Sequence, residues 1–417
     1  MNTRAGRSIT RELYAFCRMI EIDPSPSPLT AQQSSAPATY EDIFPYYAEL
    51  CALSELRKKP GFGVPISSGM GGHSLLYLNG VRVRRDASRY PVLELCPVAE
   101  AGRHGAAISV NSHYRNANWV AFEGRDFAFR GVLPRGAQLT RETYEQTQIA
   151  ARMRGVLDGI EFHEHVFKEK PAYMSRDVYK YEISIATDYA VCFGRDAYRS
   201  RVPLNAPRMQ HVVDYLNALN QPYREGQKFY RWRLLNDNCT HVAHNALSAA
   251  GFWAPWHTGQ CILVAAFKFP VPKNEMVNLA LRANDLPLED PDTLLADESA
   301  RTLLMAHGTL PSGPGALTST AAVVTPNDVY DTKKLRLIFY DNPLWGTYRF
   351  QFKRLLSEPR YRELRANLHH FAGCYRAAER GIVGSRLPPE LLQPYARHIA
   401  TQAECLASWL QQSESVA

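Results

Sequence analysis

The 417-residue chain has no long apolar run. A helix that crosses a membrane needs about 18 to 20 consecutive apolar residues, and no stretch comes near that length. The opening "MNTRAGRSITRELYAFCRMIEIDPSPS" also lacks the unbroken apolar core of a signal peptide, because Arg18 and Glu21 interrupt the run between Leu13 and Ile22. A cytoplasmic protein is the expectation. Eight cysteines are present without one CxxC pair, which argues against a zinc site or a disulfide scaffold and for free thiols. Charge of one sign is not gathered anywhere. The net charge is +7, with the basic residues scattered, so a nucleic-acid partner is not expected, whereas an anionic substrate or a membrane surface is compatible. No internal repeat is found.

The composition, 45% hydrophobic and 21% charged, is that of an ordinary globular chain. Residues 1–40 read as an amphipathic helix followed by a disordered Pro/Ser/Ala-rich linker, "PSPSPLTAQQSSAPAT". "YEDIFPYYAELCALSELRKK" predicts a helix that ends before Pro60. Strands are predicted in "HSLLYLNGVRVRRD", "YPVLELC", "AAISVNSHY", "WVAFEG", "FAFRGVL" and "VYKYEISIA". Helices are predicted over 140–160, with Thr140 as N-cap, and over "NAPRMQHVVDYLNALN". Strands and helices mix without regular alternation, which points to an α+β domain with an antiparallel sheet over 41–275. Residues 276–417 read as a mainly helical C-terminal region.

Asn79-Gly80 between two alternating runs predicts a two-residue hairpin. Leu78 would then face Val81, and Tyr77 would face Arg82. One face carries Leu76, Leu78, Val81 and Val83. The other carries His73, Tyr77, Arg82 and Arg84, and at the far end of the ladder it sets Asp86 opposite His73. A carboxylate there would orient the imidazole. Tyr77, Arg82 and Arg84 become substrate-binding candidates, and the two arginines suit an anionic or phosphate-bearing substrate.

"LLNDNCTHVAHNALSAAGF" places Cys239 behind Asp237 and Asn238, either of which can cap a helix that Gly251 stops. Val242, Ala243, Ala246, Leu247 and Ala250 form its apolar stripe. A thiolate at a helix start gains from the dipole and from free backbone amides, and the same amides can hold an oxyanion. A nearby imidazole must take the thiol proton. Spacing alone leaves Cys239 open between nucleophile and small buried hydrophobe.

"GMGGHSLLYLNG" followed by "NDNCTHVAHNALSAAG" resembles the circularly permuted branch of the papain-like (NlpC/P60) superfamily, with the histidine on an early strand and the cysteine later at a helix start. Gly72-His73-Ser74, Tyr179-Lys180-Tyr181-Glu182-Ile183, "KFYRWRLLNDNC" and Thr240 resemble more closely the Lnb N-terminal periplasmic (DUF4105-like) family, over residues 60–255. The resemblance implies a papain-like sheet packed on a cysteine-bearing helix, with Cys239 as nucleophile and His73 as base. Some members of that family are lipoprotein N-acyltransferases; this sequence lacks their export signal and their multi-span membrane region.

Asn111, Ser112 and His113 in "SVNSHYRNANW" are alternatives to Asp86 as third polar member, or substrate contacts. Asn238 and His241 flank the thiol at the helix start and are further substrate-binding candidates. His244 lies on the far side of that helix and reads as structural. His163 and His165 in "FHEHVF" lack an evident third metal ligand, and Phe229, Tyr230 and Trp232 read as core. The expected function is a thiol acyltransferase or amide/ester hydrolase that needs no metal or cofactor. Its substrate would be an acylated small molecule, a lipid or an acyl-carrier thioester. A peptidase acting on a peptide, and a non-catalytic binding or effector protein on the same fold, are the alternatives.

Overall fold

The computed structural model describes residues 39–66, 72–234, 237–257, 271–285, 313–333, 335–336, 348–382 and 389–414. The expected N-terminal helix lies outside the described residues, as does the linker up to residue 38; the first described element is a single turn at Tyr40–Ile43, capped by Thr39. Eight strands are described: β1 (Tyr47–Leu53), β2 (His73–Asn79), β3 (Val81–Arg85), β4 (Pro91–Leu95), β5 (Gly105–Ser109), β6 (Val120–Glu123), β7 (Ala197–Pro203) and β8 (Leu317–Ala321). Six of them form one sheet in the order β6-β5-β2-β1-β7-β8, antiparallel throughout. The mixed α+β class with an antiparallel sheet agrees with the sequence reading.

The Asn79-Gly80 hairpin does not form. Both edges of β2 are taken, by β1 and by β5, so β3 turns away and pairs with β4 in a separate two-stranded sheet. Gly80 makes the turn at φ +81°, and an added Cβ would lie 2.4 Å from the Tyr46 ring. Asn79 bonds the Pro45 carbonyl across the corner instead of closing a two-residue loop. The expected pairs between β2 and β3, including His73 with Asp86, are therefore absent.

Three segments take the other secondary structure. The expected helix at 40–59 contains β1, all seven residues of which are buried because both faces of this central strand are covered. "FAFR" belongs to helix α1 (Arg125–Arg130), a short turn bracketed by Gly124 and Gly131 that inserts Phe127, Ala128 and Phe129 into the core. "VYKYEIS" lies in helix α2 (Arg176–Ser184), where Ser175 accepts from the Val178 N–H and four consecutive residues, 181–184, are buried. Aromatic alternation in that stretch mimics a strand, but a cap and a wide buried face favour a helix.

The sequence locates the remaining helices near the site correctly. Helix α3 (Ala206–Arg224) is capped by Asn205, and helix α4 (Cys239–Ala249) by Asn238. The helix at Arg141–Met153 carries the expected Thr140 cap. Helix α5 (Pro272–Asn284) shares a small apolar cluster with Ala52 of β1 through Met276, Val277 and Ala280. Strand β8 sits at the β7 edge of the main sheet, so the sheet draws on the chain beyond the 275 boundary. Helices at Tyr348–Ser357, Leu364–Ile382 and Pro389–Glu414 make up most of the described residues after 285, and the last two share a separate core around Phe371, Tyr375 and Ile399.

The sheet has two distinct faces. Ala48, Leu50, Ser74, Leu76 and Leu78 share the face against which α4 packs. Glu49, Cys51, Leu53, His73, Leu75, Tyr77 and Ser109 share the other. Glu49 is fully buried there, bonded by Arg125 (2.9 and 3.1 Å) and Arg201 (3.1 Å), with Arg199 at 3.6 Å. Burial alone would raise its carboxyl; the three guanidinium groups outweigh that and hold it at about 2.

Candidate functional site

Cys239 opens α4 at the end of the sheet where β2 begins. Asn238 makes this start: its Oδ1 accepts from the N–H groups of Thr240 (2.9 Å) and His241 (3.1 Å), while its Nδ2 donates to the Leu234 carbonyl (2.6 Å). The stripe of Val242, Ala243, Ala246 and Leu247 is buried, as its spacing predicts. Thr240 and Ser74 hydroxyls meet at 3.0 Å and fix α4 to β2. The Ser74 N–H then donates to Cys239 Sγ at 3.4 Å. Ser74 N is two bonds from the His73 Cα, so the sulfur lies within about 6 Å of that atom.

His73 and Ser74 point to opposite faces, as neighbours on a strand must. The His73 side chain leaves the strand on the face away from α4. Its Nε2 lies 3.0 Å from Ser109 Oγ on β5, and that hydroxyl donates to Asp188 Oδ1 at 2.7 Å. Asn111 Nδ2 reaches both Asp188 oxygens at 3.3–3.4 Å. Asp188 itself is fully buried, and burial raises its carboxyl against the pull of these donors. It sits on a tight loop in which Ala186 (φ +62°) and Ala190 (φ +51°) both hold left-handed backbone. Such strain persists only where the surroundings fix it, and it is common at functional sites.

Arg195 is a charged neighbour of this network. It is almost wholly buried, donating to the carbonyls of Ala186 (3.0 Å) and Ser54 (3.0 Å). Among the described residues it makes no ion pair within 4 Å; its charged and polar surroundings are Asp188, Cys239 and Tyr330. Burial, reinforced by Arg195, pushes the His73 imidazole down to about 3, so it rests neutral. Burial also pushes the Cys239 thiol up, opposed by the Ser74 and Thr240 hydrogen bonds. At rest the Cys239 thiol and the His73 imidazole are both neutral, and Arg195 is a charged neighbour of each.

The charge of Arg195 has a readable signature. A guanidinium beside a sulfur favours thiolate and disfavours imidazolium. Arg195→Gln is expected to move the pH profile of Cys239 alkylation by iodoacetamide upward, and Arg195→Lys by less. A profile unchanged in Arg195→Gln would show that the charge does not reach the sulfur.

Several expected site residues lie elsewhere. Asp86 does not meet His73; it accepts from Ser88 (2.6 and 2.9 Å) and the Tyr90 N–H (2.9 Å) in a turn beside Arg224. Arg82 and Arg84 pair with Glu94 on the small β3–β4 sheet, at 2.6 and 3.0 Å, because the hairpin that would have carried them to His73 is not formed. Tyr77 shares the His73 face but is buried against Gly105 and the Glu49–Arg125 cluster. Ser112 is exposed. His113 packs its ring on Phe162 and leaves a buried Nδ1 without a partner; burial, with His165 and His163 nearby, pushes it down to about 4.

His241 Nδ1 lies 3.1 Å from Asn238 Oδ1 and its ring meets Trp256 edge-on. His244 is structural, stacked between Trp253 and Trp256 and 2.5 Å from Glu275. His163 and His165 stack on each other, with His163 Nε2 2.9 Å from the Tyr230 carbonyl. Among the described residues, no group of three or more His, Cys, Asp or Glu side chains is placed to hold a metal. The six described cysteines, Cys51, Cys96, Cys192, Cys239, Cys374 and Cys405, are free thiols. Cys17 and Cys261 lie outside the described residues. No helix among the described residues is long and apolar enough to cross a membrane.

The helix-start amides are fewer than expected. Asn238 occupies those of Thr240 and His241, leaving the N–H of Cys239 as the one without an acceptor among the described residues. Ser109, Asp188 and Arg195 were missed in the sequence. Ser109 is a lone hydroxyl in the apolar run "AAIS", and Asp188 a lone acid between "SIAT" and "YAVCF". A polar residue inside a buried run is the signal that singles them out. No family model, curated protein or solved structure matches the chain.

Proposed function

We propose that the chain is a thiol enzyme of acyl transfer or of amide and ester hydrolysis, on a permuted papain-like arrangement of sheet and cysteine-bearing helix. Cys239 is the nucleophile and His73 the base. The observation that carries this reading is the hydrogen bond from Ser74 N–H to Cys239 Sγ, one peptide from a histidine whose Nε2 is tied to Ser109 and Asp188. Anchoring one ring nitrogen in this way leaves the other to take a proton, the usual division of labour in such pairs.

In the reaction, the thiol proton passes to His73 as Sγ attacks the acyl carbonyl. The Cys239 N–H donates to the developing oxyanion. The tetrahedral intermediate expels its leaving group, which takes the proton from His73, and an acyl thioester remains. Transfer of that acyl group to an amine gives an acyltransferase; transfer to water gives a hydrolase. The neutral resting pair means that the proton moves during attack and is not already on His73 beforehand.

The test is intact-mass analysis after incubation with acyl donors of different classes: an acyl phospholipid, an acyl-carrier thioester and a peptide ester. The wild-type protein gains the mass of the acyl group, and Cys239→Ala gains none. Equal adducts on both proteins overturn the assignment of Cys239. The placement of His73 and Ser74 on opposite sheet faces favours one rival, a binding protein on the same scaffold. That rival predicts no adduct with any donor, together with unchanged binding in Cys239→Ala.

A further inference from the structure

Residues 228–234, "KFYRWRL", run into the Cys239 helix, and their side chains divide in an unusual way. Tyr230 is fully buried. Its N–H donates to the Arg115 carbonyl at 2.8 Å, its hydroxyl reaches the Asp237 carbonyl at 3.4 Å, and its ring packs edge-on to Tyr223. Arg233 and Asp237 exchange backbone hydrogen bonds at 2.8 and 3.0 Å, which fixes the far end of the segment. Between and beside these anchors the large apolar side chains face outward: Phe229 is 52% exposed, Trp232 38% and Leu234 54%. The sequence reading placed Phe229 and Trp232 in the core; only Tyr230 is there.

The exposed apolar residues alternate with cations. Lys228, Arg231 and Arg233 are all exposed, and no acid occurs from Gln227 to Leu234. The Arg115 guanidinium lies 3.9 Å from the centre of the Phe229 ring and props it outward, its own charge met by Glu161 at 2.6 Å. The acids nearby are Asp237, which Lys228 and Arg233 face, and Glu225, which is bonded by Gln221 and Gln227. Even with Asp237 and Glu225 both set against the three cations, a positive charge is left over.

A rigidly anchored segment that offers Trp, Phe and Leu among Lys and Arg matches the boundary layer of an anionic bilayer. There the indole and phenyl rings enter the headgroup region while the cations meet phosphate and carboxylate groups. A protein partner would ask for a contiguous apolar centre with charges at its rim, whereas here charge and apolar surface alternate residue by residue. We propose that residues 228–234 dock the protein on an anionic phospholipid surface, with the Cys239 end of α4 held next to it. The link from docking to acyl supply rests on the function proposed above; the docking itself does not.

The experiment uses the full chain and vesicles of phosphatidylcholine, with or without about a third phosphatidylserine. Sedimentation and the blue shift of tryptophan emission report binding. The wild-type protein is expected to bind the anionic vesicles and to be released by high salt. The triple variant Lys228→Gln, Arg231→Gln, Arg233→Gln is expected to bind about 100-fold more weakly, the combined effect of three cations near the surface. Phe229→Ser with Trp232→Ser keeps the charge and is expected to lose the blue shift and about 10-fold or more in affinity. Circular dichroism confirms that both variants fold.

Absence of wild-type binding, or equal binding by either variant, overturns the proposal. So does binding to an RNA polyanion as strong as to vesicles that the double serine variant leaves unchanged, which would make the segment a nucleic-acid contact. Cys239→Ala binds vesicles like wild type if docking is correct, so the two proposals fail separately.

Discussion

Glu49→Ala is expected to destabilise the protein by about 3–5 kcal/mol, the cost of stripping the counter-charge from a buried ion cluster. Glu49 has no exposed surface, and Arg125, Arg199 and Arg201 converge on it with side chains only 13–27% exposed. Removing the carboxylate leaves three guanidinium groups facing one another on the sheet, with Glu41 near Arg201 as the remaining counter-charge. Glu49→Gln keeps the shape and loses the charge, so it separates packing from electrostatics. Urea unfolding reads the effect; a loss below about 1 kcal/mol would place the cluster with ordinary surface ion pairs.

The same residue fixes an acid limb. The Glu49 carboxyl ionises near 2 in the folded protein against an ordinary 4.5. Between these values the unfolded chain takes up a proton that the folded one refuses. The stability Glu49 contributes is complete above about pH 4.5 and is lost as the pH falls through 2. Stability measured from pH 5 to pH 2 should therefore fall more steeply in the wild type than in Glu49→Gln.

His73→Ala is expected to slow acylation of Cys239 by about 100- to 10,000-fold, the range spanned by general acid–base groups. Ser109→Ala, which cuts the link from the imidazole to Asp188, should cost about 10-fold, the worth of one hydrogen bond. The single-turnover rate with an acyl donor measures both. Near-equal effects of the two variants would mean that Ser109 does more than orient the ring. A His73→Ala rate within a few-fold of wild type would remove the histidine from the reaction. His73 also titrates in the folding equilibrium: with an imidazole near 3 against an ordinary 6.5, the unfolded chain binds the proton first, and stability falls as pH drops from 6.5 towards 3. His73→Gln should flatten that slope.

Local chemistry made part of this molecule legible. Thr140, Asn205 and Asn238 cap the helices that their sequences announce, since a cap acts within four residues. The stripe behind Cys239 was legible for the same reason. Strand pairing was not, because it depends on partners far along the chain. Asn79-Gly80 favours a hairpin locally, but β1 and β5 compete for both edges of β2 and win. With that ladder went every residue placed through it: Asp86, Arg82, Arg84 and the site role of Tyr77. The real neighbours of His73 come from β5 and from the loop after α2, and nothing in the spacing of Ser109, Asp188 and Arg195 announces that the sheet register brings them together.

The late arrival of β8 has a consequence for how the chain comes into being. β7 leaves one edge without a sheet partner until Leu317–Ala321 pairs with it, more than a hundred residues further on. A ribosome emits the Cys239 helix and most of the sheet well before that partner, and an open edge is a template for pairing between chains. While it is being made, the nascent protein carries this edge bare, and a translational pause or a premature stop between β7 and β8 prolongs its exposure.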